Sequence, residues 1–543
     1  MTDWKTQAQA YKARIAAQIP PEWRLSPETL ANLPLNVTRL PEDSGLLTAR
    51  EKEIKTLDAT ALAAAIAERT YTAVEVATAY AKAAAISAQA THAVMDFFPA
   101  EAVAQARALD EELERTGKVV GPLHGVPISV KDMIALAGRA RTCGSLAGAL
   151  DPALQPAGDS VIVAALRAAG AVFYAKTTNP QAIMHLETNS FLGQTLNPWN
   201  TRLTPGGSSG GESALIAGGG SVLGIGTDIG GSIRNPCSNC GLFGFKPTAA
   251  RIPKAGNVGG MPGQETIIGA VGPMGVSARD CELFISAILA AEPWKVDPTM
   301  VGMPWRPETA VFSHGGARPR IGVMWDDGVV VPQPPMRRAL KAAVDRLKSQ
   351  GYDVVDFTPY RTAESWAILH KLYFTDGGAY VRGLAAATGE PILPLTEWIM
   401  AGAVAEDAAG IMALNRARDA FRVDWWAYFA AQKVDIILTP AYPGPAPVLG
   451  TSKYWAYTAL FNILDMPGAV FPTGLFVDPK NPEDRADREG DREWLSDEDR
   501  LNAARYDAET FTGAPLALQI VGARWEDEMV MKALYGVSEA VRA

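Results

Sequence analysis

The chain has 543 residues, 48% of them hydrophobic, which is enough to bury a large core. Charged residues make up 20% and the net charge is −9, a balance that argues against a general nucleic-acid or anionic-membrane partner. The four cysteines, Cys143, Cys237, Cys240 and Cys281, are too few for a disulfide framework and read as reduced thiols.

The first segment, "MTDWKTQAQAYKARIAAQIPPEW", is polar and lacks the apolar stretch of a secretory leader. Residues 4–18 within it read as an amphipathic helix ended by "IPPEW". Residues 56–116 are rich in Ala and Glu with apolar residues at helical spacing, which predicts three helices with N-caps near Asp58 and Thr72. No apolar run reaches the roughly 18 residues of a membrane span, so a soluble, cytoplasmic protein is expected.

The texture changes at Gly121. "GPLHGVPISVKDMI" opens on Gly and Pro and continues as a short β-like run. "DSVIVAALRAAGAVFYAKTT" predicts helix, glycine turn and strand. "SVLGIGTDI", "RIGV", "VDIILTP" and "GAVFPTG" are further short strand candidates, with helices between them. This alternation predicts an α/β fold: a single large domain over 1–543 with a mixed central sheet surrounded by helices. Residues 1–55 form a helical extension packing on it. Residues 478–500 carry dense charge of both signs and read as a charged surface insertion.

The stretch "GTDIGGSIRNPCSNCG" (226–241) admits three chemistries. A phosphate cradle needs G-x-x-x-x-G-K-[ST] or G-x-G-x-x-G, and neither is present. Cys237 and Cys240 have the spacing of half a zinc site, but the five histidines supply no second half, so the pair reads as core packing. Ser232 remains: Gly230 and Gly231 before it let several N–H groups converge, as an oxyanion hole requires. Upstream, "GGSSGG" (206–211) formally matches the G-x-S-x-G elbow at Ser208 or Ser209, yet the residues before it are polar and not strand-like. A serine nucleophile needs a base. Besides histidine, the candidate is a lysine held neutral by burial, and Lys131 closes the apolar run "VPISV".

Together, "GPLHGVPISVKD" (121–132), "GGSSGGESALIAGGGSVLGIGTDIGGSIRNP" (206–236) and "CGLFGFKPT" (240–248) resemble the amidase signature family. The likeness continues in "YTALFNILDMPGAVFPTG" and "GAPLALQIVG", and is nearest to fungal acetamidase-type general amidases, with fatty acid amide hydrolases further off. It marks 121–248 as the signature core. The resemblance implies a Ser–Ser–Lys triad: Lys131 as base, Ser208 as the bridging serine on a cis peptide, and Ser232 as nucleophile. It maps the oxyanion hole to the N–H groups of Ile229, Gly230, Gly231 and Ser232, with Ser209 hydrogen-bonding beside the bridge. Asp228 and Arg234 are expected to form an ion pair bracing the nucleophile loop. Ile183 and Met184 are expected on the acyl side of the pocket, and residues 513–519 to close it.

The implied activity is hydrolysis of small carboxylic amides through an acyl-enzyme, with no metal or organic cofactor. Carbamate hydrolysis by the same triad is the alternative, and an amidotransferase subunit serving aminoacyl-tRNA is a more distant one. The expected partner is a small amide or carbamate, without nucleic acid or a membrane span. The N-terminal helix offers a face for a homo-oligomer.

Overall fold

In the computed structural model, which describes residues 3–488 and 490–543, the N-terminal helix α1 (Trp4–Ala17) lies on its own chain. Its Tyr11 meets Phe191 edge-on at 5.4 Å between ring centres. The three helices expected over 56–116 are α2 (Ala59–Ala67), α3 (Ala73–Thr91) and α4 (Pro99–Thr116). Asp58 and Thr72 cap the first two by accepting from the N–H groups of Ala61 and Glu75, and Thr72 with Glu75 completes a capping box. Helix α4 starts on Pro99 and stops at Gly117, a left-handed residue. Strand β1 (Val94–Phe97) sits between α3 and α4, where the helical periodicity gave no sign of it.

The signature region then supplies β2 (Pro127–Lys131), α5 (Val161–Ala168), β3 (Val172–Thr177), α6 (Gly210–Ala217), β4 (Leu223–Asp228), α7 (Arg234–Cys240), β5 (Phe243–Lys246) and β6 (Ala270–Gly275). The remainder adds β7 (Ile321–Val323), α8 (Pro334–Ser349), β8 (Val354–Asp356), α9 (Thr362–Tyr373), β9 (Ile436–Pro440), α10 (Ala456–Ile463), β10 (Gly468–Phe476), β11 (Pro515–Gly522) and α11 (Asp527–Arg542).

Among the described residues these eleven strands form one mixed sheet, in the order β1-β3-β2-β4-β6-β5-β10-β11-β9-β7-β8. Strand β2 runs parallel to both β3 and β4, and antiparallel pairs carry the sheet from β4 across to β9. Strands β2, β3, β4 and β11 are buried along their whole length, which is why their sequences read as apolar runs and not as alternating ones. One apolar cluster follows the sheet through Val76, Val130, Phe173, Leu340, Leu516 and Val530. The parallel strands β2 and β4 end at one edge, so Lys131 and Asp228, the last residue of each, arrive there together.

The charged segment 478–500 is pinned to the domain by its own charges. Arg337 and Arg338 of α8 pair with Asp487 and Asp484, both at 2.6 Å. Cys237 and Cys240 on α7 are fully buried among Ile216, Ile233, Met274 and Val470. Burial pushes the Cys240 thiol up to about 12, so the pair behaves as apolar packing. Among the described residues no helix is long and apolar enough to cross a membrane.

Candidate active site

Lys131 is fully buried, and three hydroxyls surround its amino group. Its Nζ lies 2.8 Å from Ser208 Oγ, 2.9 Å from Ser209 Oγ and 2.7 Å from Thr227 Oγ1. Burial pushes Lys131 down to about 7, against the opposing pull of Asp228 and Asp132. The three hydroxyls differ in where their hydrogens go. Thr227 donates to Met133 Sδ at 3.2 Å, and Ser209 donates to the Thr227 carbonyl at 3.4 Å. Ser208 has no other partner among the described residues, so its hydrogen is free to turn. The Gly207–Ser208 peptide is cis.

Residues 228–234 form a tight turn organised by one carboxylate. Asp228 accepts from the N–H groups of Gly231 (2.8 Å), Ile233 (3.1 Å) and Arg234 (3.3 Å). It also meets Arg234 Nε and Nη2, both at 3.0 Å, in the ion pair the motif implied, and both partners are completely buried. Burial would raise the Asp228 carboxyl, but Arg234 and Lys246 outweigh it and hold it well below the usual carboxylate range. Gly231 takes φ +134°, and a Cβ there would strike the Thr458 side chain, so the turn requires glycine.

The carbonyls of this turn are also fixed. Tyr373 donates to Ile229 O at 3.0 Å, Thr458 to Gly230 O at 2.7 Å, and the Asn235 N–H to Gly231 O at 2.7 Å. Because each peptide is planar, holding a carbonyl aims the following N–H the opposite way. The expected cradle comprised four amides. The Gly231 N–H is engaged by Asp228, which leaves those of Ile229, Gly230 and Ser232 without a protein acceptor among the described residues.

Ser208, Thr227, Ile229 and Ser232 line a cavity of about 370 Å³. Ser209 N–H donates to Ser232 O at 3.2 Å, joining the two serine segments through backbone. Ile183 and Met184 line the same cavity, together with Met133, Tyr373 and much of the segment 254–271, including Met261, Ile267 and Ile268. Ile183 holds φ +65°, rare for a β-branched side chain and worth about 1–3 kcal/mol of strain. Gln181 secures the bend by bonding Glu390 and the Leu393 N–H, both at 2.8 Å.

Residues 513–519 do not close the pocket. Gln519 lies behind the 228–234 turn, where it meets Arg234 Nη1 at 3.3 Å and the carbonyls of Pro440 and Tyr457 at 2.9 and 2.8 Å. It is tied there because β11 is an inner strand of the sheet. Thr227, Tyr373, Thr458 and the 254–271 wall were not singled out from sequence. Thr227 was within reach, since it stands beside Asp228 in the glycine-rich motif. Tyr373 and Thr458 come from helices far along the chain; Thr458 stands in the quoted stretch 457–474, which gave it no role, and Tyr373 in none.

The arrangement sets a buried lysine, a hydroxyl with a free hydrogen and a turn with three unengaged amides beside one cavity. Residues 75–531 match the family model described as Amidase, and the chain belongs to that amidase signature family, which makes it an amidohydrolase. It is 37% identical to the acetamidase of Aspergillus oryzae over 97% of both chains. It is 35% identical to the acetamidase of Emericella nidulans, over 97% of this chain and 96% of that one. A solved structure of a fatty acid amide hydrolase matches with a TM-score of 0.94 at 35% identity, covering 100% of this chain and 96% of the other.

Proposed function

We propose that the chain hydrolyses the C–N bond of carboxylic amides through a Ser232–Ser208–Lys131 relay and an acyl-enzyme. The observation that carries this reading is the hydroxyl arrangement around Lys131. A neutral amine offers two hydrogens and one lone pair. Thr227 and Ser209, whose own hydrogens are committed, act as acceptors for the two hydrogens. Ser208, whose hydrogen is free, meets the lone pair.

Ser232 Oγ attacks the carbonyl carbon while its proton passes to Ser208 and the Ser208 proton passes to Lys131. The oxyanion faces the N–H groups of Ile229, Gly230 and Ser232. Lys131 returns its proton through Ser208 to the leaving nitrogen, and the C–N bond breaks. Water then enters by the same relay and releases the acid.

A cavity of about 370 Å³ walled by Met133, Met184, Met261 and Ile267 supports amides with an apolar group larger than the methyl of acetamide. Relatives named acetamidase and fatty acid amide hydrolase bracket that range. Ser232→Ala is expected to lower kcat by at least about 10⁴-fold, and a fluorophosphonate to label Ser232. Labelling of Ser208 or Ser209 instead would overturn the relay. Rates on acetamide, a long-chain acyl amide, benzamide and ethyl carbamate order the substrates, and a preference for the carbamate would move the assignment to carbamate hydrolysis.

A further inference from the structure

Glu212 is a fully buried acid that the relay does not use. It stands in the first turn of α6, the helix that follows Ser208 and Ser209. Its carboxyl reaches across two strands. Oε2 bonds Ser129 Oγ on β2, two residues before Lys131 and on the same face. Oε1 accepts from Thr177 Oγ1 at 2.9 Å, and Thr177 is the register partner of Lys131 on β3. Gly224 on β4 leaves the room, since a Cβ there would strike Glu212 Oε2 and approach Ser129 Oγ to 3.0 Å.

The hydrogens of this cluster can be counted. Ser129 Oγ also meets Ser221 Oγ at 2.9 Å, and Ser221 Oγ donates to Leu223 O at 3.1 Å. With the two bonds to Glu212, that makes four contacts. Three hydroxyls supply three hydrogens. The fourth contact is filled only if the carboxyl carries a proton and donates to Ser129. Asp132 and Asp228 both accept backbone N–H groups, whereas among the described residues no N–H or cation donates to Glu212. An isolated buried charge is costly, and a neutral acid avoids that cost.

We propose that Glu212 is a positioning residue for Lys131: as a neutral carboxylic acid it clamps the first turn of α6 to β2 and β3 beside Lys131, and adds no negative charge that would hold the lysine as ammonium. Burial agrees with this, pushing Glu212 up to about 8. The titratable groups facing Glu212 are Lys131 from β2 and Tyr174 from β3. Lys131 itself also faces Asp228, Asp132 and Cys143. The proposal rests on Lys131 being the base of the relay described above.

The test compares full-length wild type, Glu212→Gln, Glu212→Leu and Ser232→Ala. An infrared carbonyl band of a protonated carboxyl at neutral pH should be present in wild type and missing in Glu212→Gln. Glu212→Gln should keep the pH midpoint of kcat and lose no more than about tenfold in rate, because it preserves the clamp without charge. Glu212→Leu should lose about 100-fold in kcat with KM within about threefold. A midpoint falling by about one unit or more in Glu212→Gln would mean a charge had been removed and would overturn the proposal. So would a missing carboxyl band, or wild-type kcat in folded Glu212→Leu. If the leucine variant does not fold, the band and the glutamine midpoint still decide. Near-native turnover in Ser232→Ala would sink the relay separately, and leaves the band as an independent reading of Glu212.

Discussion

Strands β2 and β3 each bury a lysine at the same end of the sheet, and the two sites behave differently. Lys131 on β2 is ringed by three hydroxyls, whereas Lys176 on β3 contacts the carbonyls of Ile134 and Ala140 at 3.1 and 2.6 Å. Burial pushes both down, to about 7 and about 8. Burial therefore does not separate them. The partners do, because a carbonyl only accepts, while a hydroxyl can also give up a hydrogen to a neutral amine. Register assigns the roles: Lys176 pairs with Val130, and so points to the opposite face from Lys131. A buried lysine surrounded by carbonyls is a brace, and one facing a free hydroxyl has the partner that the proposed base requires.

The sharpest way to break this contrast is Lys131→Ala, expected to lower kcat per folded molecule by about 10³- to 10⁴-fold. A loss below about tenfold in steady-state kinetics would return Lys131 to the bracing class. Asp228→Asn tests another buried cation, Arg234, which depends on a carboxylate. Removing that charge leaves the guanidinium uncompensated and should destabilise the fold by about 3–5 kcal/mol in denaturant titrations. Lys176→Met should cost about 1–3 kcal/mol by leaving two carbonyls unpaired, with kcat per folded molecule retained. A fall in kcat to match Lys131→Ala would erase the distinction.

The gentlest test is pH. Activity should rise through about 7 as Lys131 loses its proton, and a flat profile across that point would count against a lysine base. For Lys176 the folded group, at about 8, sits below its ordinary 10.5. The unfolded chain therefore binds more protons between those values, so this lysine's stability term rises with pH across that window. The stability gap between wild type and Lys176→Met should shift in the wild type's favour as pH increases from about 8 to 10.5.

Much of the site could be read before any coordinates. Lys131, Ser208, Ser232, Asp228 and Arg234 lie in contiguous motifs, because the turn that presents Ser232 is built from local hydrogen bonds to Asp228. The helix caps at Asp58 and Thr72 were legible for the same reason, since each bond spans three residues. Tyr373, Thr458 and Gln519 were not legible in these roles. They reach the turn from distant helices and an inner strand, and nothing around them in the chain marks a contact made only on folding. The 254–271 wall escaped because its glycines and isoleucines carry no chemistry of their own.

Sequence alone determined the amidase family, the α/β alternation and the residues able to do serine chemistry, since these rest on local pattern and residue type. The tertiary structure decided which hydroxyl near Lys131 keeps a free hydrogen, which of the four turn amides is already engaged, and that Glu212 stands behind Lys131. Those outcomes depend on where neighbouring strands and helices place a few oxygens. A hydrogen bond is made or lost over a few tenths of an ångström, far finer than any spacing along the chain specifies.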